Sequence, residues 1–435
     1  MNRRRVLFVT ASSRFGSSGR YLFDMAAALQ RLGWEVLVLS EGPAARGGPV
    51  PWRRFRIAGG AIDSASVAAA LRFAPGIVYV IGCRVKAMVF GMKIAERAGA
   101  ALAFQAEDDD VAPFENYYPD TRARPLAGLL SAPLDQAAEG FATGLDWDLT
   151  ARLWTGANGY RLVEPAVRTV LLARAALVSA IWDPLAAEMA TVTGREAVVF
   201  PPVADLERLR GRRPGLPRLV RARRGAAPSV YFPGTTYEYA DDVAPAFEAL
   251  ARLGASRRLS VIVSGHNRAS HAIFAPLRRA AGITLRSLPY VGDARYLALI
   301  RAADVICVPG RTGRFNRLRF PSRLTVAAAL GSAIVTYREG LAGRIADPEE
   351  MLFVAGDQVE AYHDAFGRLL DDAALRERLG EGAARFADRE LSAQKVASRL
   401  AAAMERALSQ PAPARALPAP FLSAFERRWR ALDRV

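Results

Sequence analysis

At 435 residues the chain is too long for one ordinary core and long enough for two domains. Fifty-nine Lys plus Arg against 43 Asp plus Glu leave a net charge of +16, which suits an anionic substrate, a nucleic acid or an anionic membrane surface. With three His, and two Cys (Cys83 and Cys307) set in apolar runs, the composition argues against histidine-based metal sites, Ser-His-Asp triads and disulfides.

Residues 6–10 (VLFVT) form a continuous apolar run, the pattern of a strand buried on both faces. The loop ASSRFGSSG follows, then a helix in which Leu22, Met25, Ala26, Leu29 and Leu32 keep helical spacing until Gly33. With the strand EVLVLS at 35–40 this makes a βαβ unit whose Gly16 and Gly19 lie where a helix N-terminus meets a ligand. Strands at 77–81 (IVYVI) and 101–105 (ALAFQ), with a helix over 85–98 between them, continue the alternation and predict a parallel sheet. The second of these strands empties into Glu107, Asp108, Asp109 and Asp110, on the side where parallel sheets bind ligands. A general base, an aspartate-rich metal site and a plain charged loop capping the next helix all fit that cluster.

Residues 111–165 read as an irregular insertion rich in aromatics and prolines, followed by a helix over 168–175, a strand at 176–181, a second helix and a strand at 197–200. Residues 204–228, with eight Arg, three Pro and few large apolar side chains, read as a linker. The βαβ pattern then restarts at 230–232 and runs through LSVIV at 259–263, PYVGD, a helix over 294–302 and a strand at 305–308. Next comes GRTGRFNRLRFPSRLTVAAALG at 310–331, which packs Arg311, Arg314, Arg317, Arg319 and Arg323 ahead of and into a helix stopped by Gly331. Guanidinium forks beside a helix N-terminus suit phosphate oxygens; a solvated basic loop is the plainer reading. A strand at 333–337 and amphipathic helices over 358–379 and 389–408 follow. In the last 25 residues Phe421, Phe425, Trp429 and Leu432 recur at helical spacing beside Arg, the pattern of a helix that docks on a membrane surface or packs back on its own protein. No run of 18 apolar residues occurs and the N-terminal apolar run is too short for a signal peptide, so the expected location is cytoplasmic, with peripheral attachment at the inner membrane face. Nucleic acid is not expected as a partner, because the Arg residues are scattered over linker, loop and tail.

The order GSSGRYLFDMAAALQRLGWEVLVLS, RAALVSAIWDPLAAEMA, VVFPPVAD, VGDARYLALIRAADVICVPG and FPSRLTVAAALGSAIVTYREG resembles the retaining GT-B glycosyltransferases of the group usually called family 4. The likeness covers residues 5–408. It implies an α/β protein of two Rossmann-like domains facing a cleft, with C-terminal helices packing back toward the first domain. The implied boundaries are an acceptor domain at 1–203, a linker at 204–228, a nucleotide-sugar domain at 229–385, a crossover helix at 386–410 and a basic tail at 411–435. The implied reaction moves a sugar, with retention, from a nucleotide-diphosphate sugar to a saccharide or lipid-linked acceptor in cell-surface polysaccharide or glycoconjugate synthesis. No cofactor and no metal are implied.

Carried over residue by residue, the resemblance implies donor contacts from Gly16, Gly19, Gly234, Thr235, His266, Tyr290, Val291, Arg319, Ser322 and Arg323. Arg311, Arg314 or Arg317 would make up charge from another direction, and residues 411–435 would meet an anionic membrane surface. In a retaining reaction the departing phosphate oxygen can take the acceptor proton, whereas inversion needs a base such as Glu107 or Asp108. The chain departs from the family in its second domain: the Arg and Lys often found after the first glycine are absent, Thr235 following Gly234, and two glutamates are replaced. The donor-site glutamate that holds the ribose falls on Val326, and the glutamate eight residues earlier falls on Leu318. Valine accepts no hydroxyl proton, so a degenerate GT-B protein that binds a carbohydrate or partner without catalysis is the alternative.

Overall fold

The computed structural model describes the chain except residues 1–3, 14–15, 43–48, 59–60, 112–127, 145–162, 212–226, 235–239, 266–271, 410–414 and 432–435. It divides into two compact units, one of residues 1–203, 318–320 and 393–435, the other of residues 204–317 and 321–392.

In the first unit the apolar runs become strands β1 (Arg5–Thr10), β2 (Glu35–Ser40), β3 (Trp52–Arg54), the small ribbon β4 (Ile57–Ala58) and β5 (Ala61–Ile62), then β6 (Ile77–Ile81), β7 (Ala101–Ala106), β8 (Leu177–Ala180) and β9 (Val198–Val199). Apart from the ribbon they form one sheet in the order β3-β2-β1-β6-β7-β8-β9 with every pairing parallel. β1 sits centrally, its Val6 in register with Val36 of β2 on one side and Ile77 of β6 on the other. Helices α1 (Ser17–Arg31), α2 (Ser64–Phe73), α3 (Val85–Ala98), α4 (Leu134–Gly144), α5 (Pro165–Arg174) and α6 (Asp183–Thr193) accompany these strands. β1 and β6 carry no exposed residue, as strands covered on both faces must. The chain runs from β1 outward to β2 and β3 on one side and then returns to β6 on the other, so the sheet order reverses between β1 and β6; that reversal opens a crevice at the strands' carboxyl ends.

The second unit begins with α7 (Leu206–Gly211) and continues through β10 (Ser229–Phe232), α8 (Ala240–Ser256), β11 (Leu259–Ser264), α9 (Ala275–Arg279), β12 (Ile283–Leu288), α10 (Asp293–Ala302), β13 (Val305–Val308), α11 (Arg314–Leu318), α12 (Ser322–Ala329), β14 (Ile334–Tyr337) and β15 (Leu352–Val354). Its sheet, also parallel, runs β12-β11-β10-β13-β14-β15 and reverses between β10 and β13. Residues 206–211, expected in the linker, are helical because Leu206 and Leu209 are buried and Arg210 pairs with Asp388 at 2.8 Å. The single helix expected over 358–379 is two, α13 (Val359–Asp371) and α14 (Ala373–Phe386). The chain breaks at Asp372, whose carboxylate caps the second helix by accepting from Leu375 N at 2.8 Å.

A short π-helical turn (Ala387–Leu391) leads to α15 (Ala393–Ser409), which returns to the first unit. Val396, Leu400 and Met404 on α15 share a core with Met25, Ala26 and Leu29 of α1, and the C-terminal helices thus pack back on the N-terminal unit. The last helix, α16 (Ala419–Ala431), follows the same course. Its Phe421, Phe425 and Trp429 stack in series, with centroids 6.4 and 5.3 Å apart, and all three are buried. Lys93 on α3 lies 4.4 Å from the Trp429 ring centroid and donates to the Trp429 carbonyl at 2.9 Å, while Trp429 Nε1 donates to Glu96 at 3.0 Å. Of the two uses open to the aromatic stripe, the protein itself takes it up here, since burying three rings against α3 and α4 is more favourable than leaving them in water.

Candidate functional site

The acidic run after β7 is sorted by its surroundings into separate tasks. Asp110 accepts from the Arg168 guanidinium and from the Cys83 thiol, and all three groups are buried. Arg168 also donates to the Leu130 carbonyl at 3.0 Å, so this buried ion pair ties α5 to the strand end. Asp109 accepts from the backbone of Val111 at 3.1 Å, the capping role of a charged loop. Among the described residues no group of acids, His or Cys is arranged to hold a metal ion.

Glu107 and Asp108 are different. Tyr21, in the second turn of α1, donates its hydroxyl to Glu107 Oε1, and Ser18 also hydrogen-bonds the carboxylate. A Cβ at Gly82 would lie 2.7 Å from Glu107 Oε2, and Gly82 itself has φ +74°, so only glycine fits beside this carboxylate at the end of β6. Burial pushes Glu107 up to about 7, with Tyr21 pulling it down and the Asp108 charge pushing it up. Burial likewise raises Asp108 to about 6, opposed by Arg84. Two carboxyls that titrate near neutrality, set where β1, β6 and β7 end, are what proton transfer or hydroxyl binding requires. Tyr21, Ser18, Gly82 and Arg84 were not singled out from the sequence. Their signal was weak, a helix-start serine and tyrosine and the GCR tripeptide after IVYVI, and it needed the sheet order to bring them to Glu107.

Gly16 is the residue before α1 and donates to the Ser13 carbonyl at 2.9 Å. Its φ of −70° is open to any residue, and Gly19 is buried within the helix.

In the second unit, Gly234 after β10 (φ +69°) and Gly265 after β11 (φ +77°) lie against each other, a Cβ on Gly265 falling 3.0 Å from the Gly234 Cα. Arg323, in the first turn of α12, donates to the carbonyls of Pro233 and Gly234 at 3.0 and 3.1 Å and so fixes that glycine turn. Ser322 opens α12 with no side-chain cap on the helix. Tyr290, beyond β12, is 64% exposed, an unusual surface for a tyrosine, while Val291 is buried. Arg319 is buried. Thr235 and His266 lie outside the described residues. The Arg-rich stretch expected as a loop folds partly into α11. Arg311 meets Asp241 at 3.5 Å and Asp357 at 3.3 Å, because α8 and the start of α13 bring acids to it. Leu318 is buried and Val326 half-buried.

No protein-family profile matches the chain. Anabaena HepE, crystallised with UDP-glucose, superposes with a TM-score of 0.62 over 92% of this chain and 99% of its own at 14% identity. Sucrose-phosphate synthase of Thermosynechococcus elongatus does so with a TM-score of 0.62 over 93% of this chain and 99% of its own, also at 14% identity. The fold is GT-B. Both sheets of the GT-B architecture are thus present with their carboxyl-end crevices. A D-inositol 3-phosphate glycosyltransferase of Streptomyces griseus is 35% identical over 107 residues, 24% of this chain and 21% of that protein, so the chain spans about a fifth of the length of that relative.

Proposed function

We propose that the chain is a glycosyltransferase that moves a sugar from a nucleotide-diphosphate donor to an acceptor hydroxyl. The single observation that carries this is that each unit of a GT-B fold has its own carboxyl-end crevice, the first holding Glu107 and Asp108, the second the Gly234–Gly265 contact braced by Arg323. Backbone glycines and a helix N-terminus suit a diphosphate. Buried, proton-avid carboxyls suit a hydroxyl. In this reading residues 1–203 bind the acceptor, 204–228 are the linker, 229–385 bind the donor and 386–410 are the crossover helix. Neighbours crystallised with UDP and UDP-glucose support a nucleotide sugar as donor. A saccharide or lipid-linked acceptor and retention follow from the family 4 resemblance, and polysaccharide or glycoconjugate synthesis is the setting that it implies. Attachment to an anionic membrane surface rests on the exposed Arg427 and Arg430 of α16 rather than on its rings.

The test is release of free nucleoside diphosphate from a panel of nucleotide sugars with saccharide and lipid-linked acceptors. The Arg319→Ala/Arg323→Ala double variant is expected to bind the donor at least tenfold more weakly by calorimetry, given the usual strength of charge-assisted hydrogen bonds. Normal donor binding by that variant would remove both arginines from the donor site. The second reading, binding without turnover, is favoured by Leu318, which is buried where the family places a glutamate. Sugar binding with no release of nucleoside diphosphate would establish it.

A further inference from the structure

Two buried acceptor atoms in the second unit have no donor among the described residues: Asn316 Oδ1 and Glu339 Oε2. They flank the same piece of backbone. Asn316 Nδ2 donates to Asp242 Oδ1 at 2.9 Å and to the Arg311 carbonyl at 2.9 Å; flipping the amide would set its oxygen against a carboxylate, so the oxygen is the atom left over. On the other side, Thr312 Oγ1 donates to Glu339 Oε1 at 3.3 Å, leaving Oε2 open. The Glu339 backbone is held in place by its neighbour: Gly340, at φ +74°, is packed so closely on the Arg317 carbonyl of α11 that no Cβ fits there. The Glu339 side chain as a whole is half-exposed, with Oε1 taken by Thr312 and Oε2 left unmatched among the described residues.

Unmatched acceptors beside a basic segment call for a ligand that donates hydrogen bonds and carries no negative charge at that point, which describes sugar hydroxyls and excludes phosphate. The sheet order says which hydroxyls. The glycine turns lie at the ends of β10 and β11 and exposed Tyr290 beyond β12, whereas Glu339 follows β14, on the far side of β13. A nucleotide laid along the strand ends from β12 toward β13 presents its sugar to β14. The two positions where the family carries glutamates hold Leu318 and Val326, neither of which accepts a hydrogen bond.

We propose that Glu339, backed by Asn316, is the subsite that receives hydroxyls of the transferred sugar. This rests on the reading above that the chain binds a nucleotide sugar. The experiment is calorimetry on the full-length protein with matched ligand pairs: UDP and UDP-glucose, ADP and ADP-glucose, GDP and GDP-mannose. Glu339→Gln is expected to weaken the nucleotide sugar about tenfold while leaving the bare diphosphate within about twofold, the loss of one charged acceptor. Glu339→Asp, which keeps the charge but withdraws it by one methylene, is expected to act alike and serves if the glutamine variant does not fold. Equal losses for both members of a pair, or no change in either, overturn the subsite and leave the donor reading standing. Wild-type protein that binds no pair overturns the donor reading and the subsite together.

Discussion

Glu107→Gln is expected to lower kcat/KM by about a hundredfold, the low end of what a positioned proton-transfer group contributes, and to remove the acid limb of the pH profile near 7. The limb arises because the carboxylate must be ionised to accept a hydroxyl proton or bond, and burial holds it protonated until about that pH. Stability runs the other way. Glu107 titrates at about 7 in the folded chain against an ordinary 4.5, so its ionisation costs nothing below about pH 4.5 and progressively more as the pH rises to 7. Above that the cost levels off at about 3 kcal/mol, reckoned from the size of the shift. The glutamine variant, which keeps an acceptor for Tyr21, is accordingly expected to be less active and more stable than the wild type at pH 8. Asp108 titrates in the same range, so the pair shares the profile and the two limbs overlap. Full activity in Glu107→Gln with an unchanged acid limb would end the assignment. The anomeric configuration of the product then separates the two uses of the carboxylate, a base for inversion or a hydroxyl anchor in a retaining reaction.

Loss of the C-terminal helix is the second large effect. Trp429→Ala should cost about 3–5 kcal/mol, as large-to-small changes at buried aromatics do, and lower the melting temperature by roughly 5–10 °C. The cost is high because the ring covers Lys93, which is itself buried, and because Glu96 loses the indole donor. Removing residues 411–435 should cost more, since Phe421 and Phe425 go with it. Binding to anionic liposomes measured alongside tells packing from attachment. A truncated chain that melts like the wild type but no longer binds liposomes would return the helix to a membrane role.

Much of the fold could be read from the chain because strand and helix signals are local. VLFVT, EVLVLS and IVYVI announce buried strands, and the spacing of Met25, Ala26 and Leu29 announces the face of α1 that α15 covers. The break at Asp372 was missed because an apolar face continues through it, whereas a cap depends on one side-chain oxygen reaching one backbone N–H. The helix in 206–211 was missed because Arg and Pro dominate its surroundings. The site was legible in part: the acidic run, the glycine turns and the arginines could be named, but not their partners. Arg311 reads as an anion contact in the sequence, and only the fold brings Asp241 and Asp357, from distant parts of the chain, beside it.

The sequence by itself determined two parallel α/β units, the strand ends at which chemistry is to be sought and the tail's aromatic stripe, because each depends on periodicity within about 20 residues. Only the tertiary structure decided what that stripe covers and which of four adjacent acids is taken up by a buried ion pair. Glu107 and Asp110 are three residues apart and chemically alike. One is claimed by a buried arginine from α5, while the other meets Tyr21, Ser18 and a glycine with no room to spare. Desolvation and pairing depend on which strands and helices come together, and that order is written in no single stretch of chain.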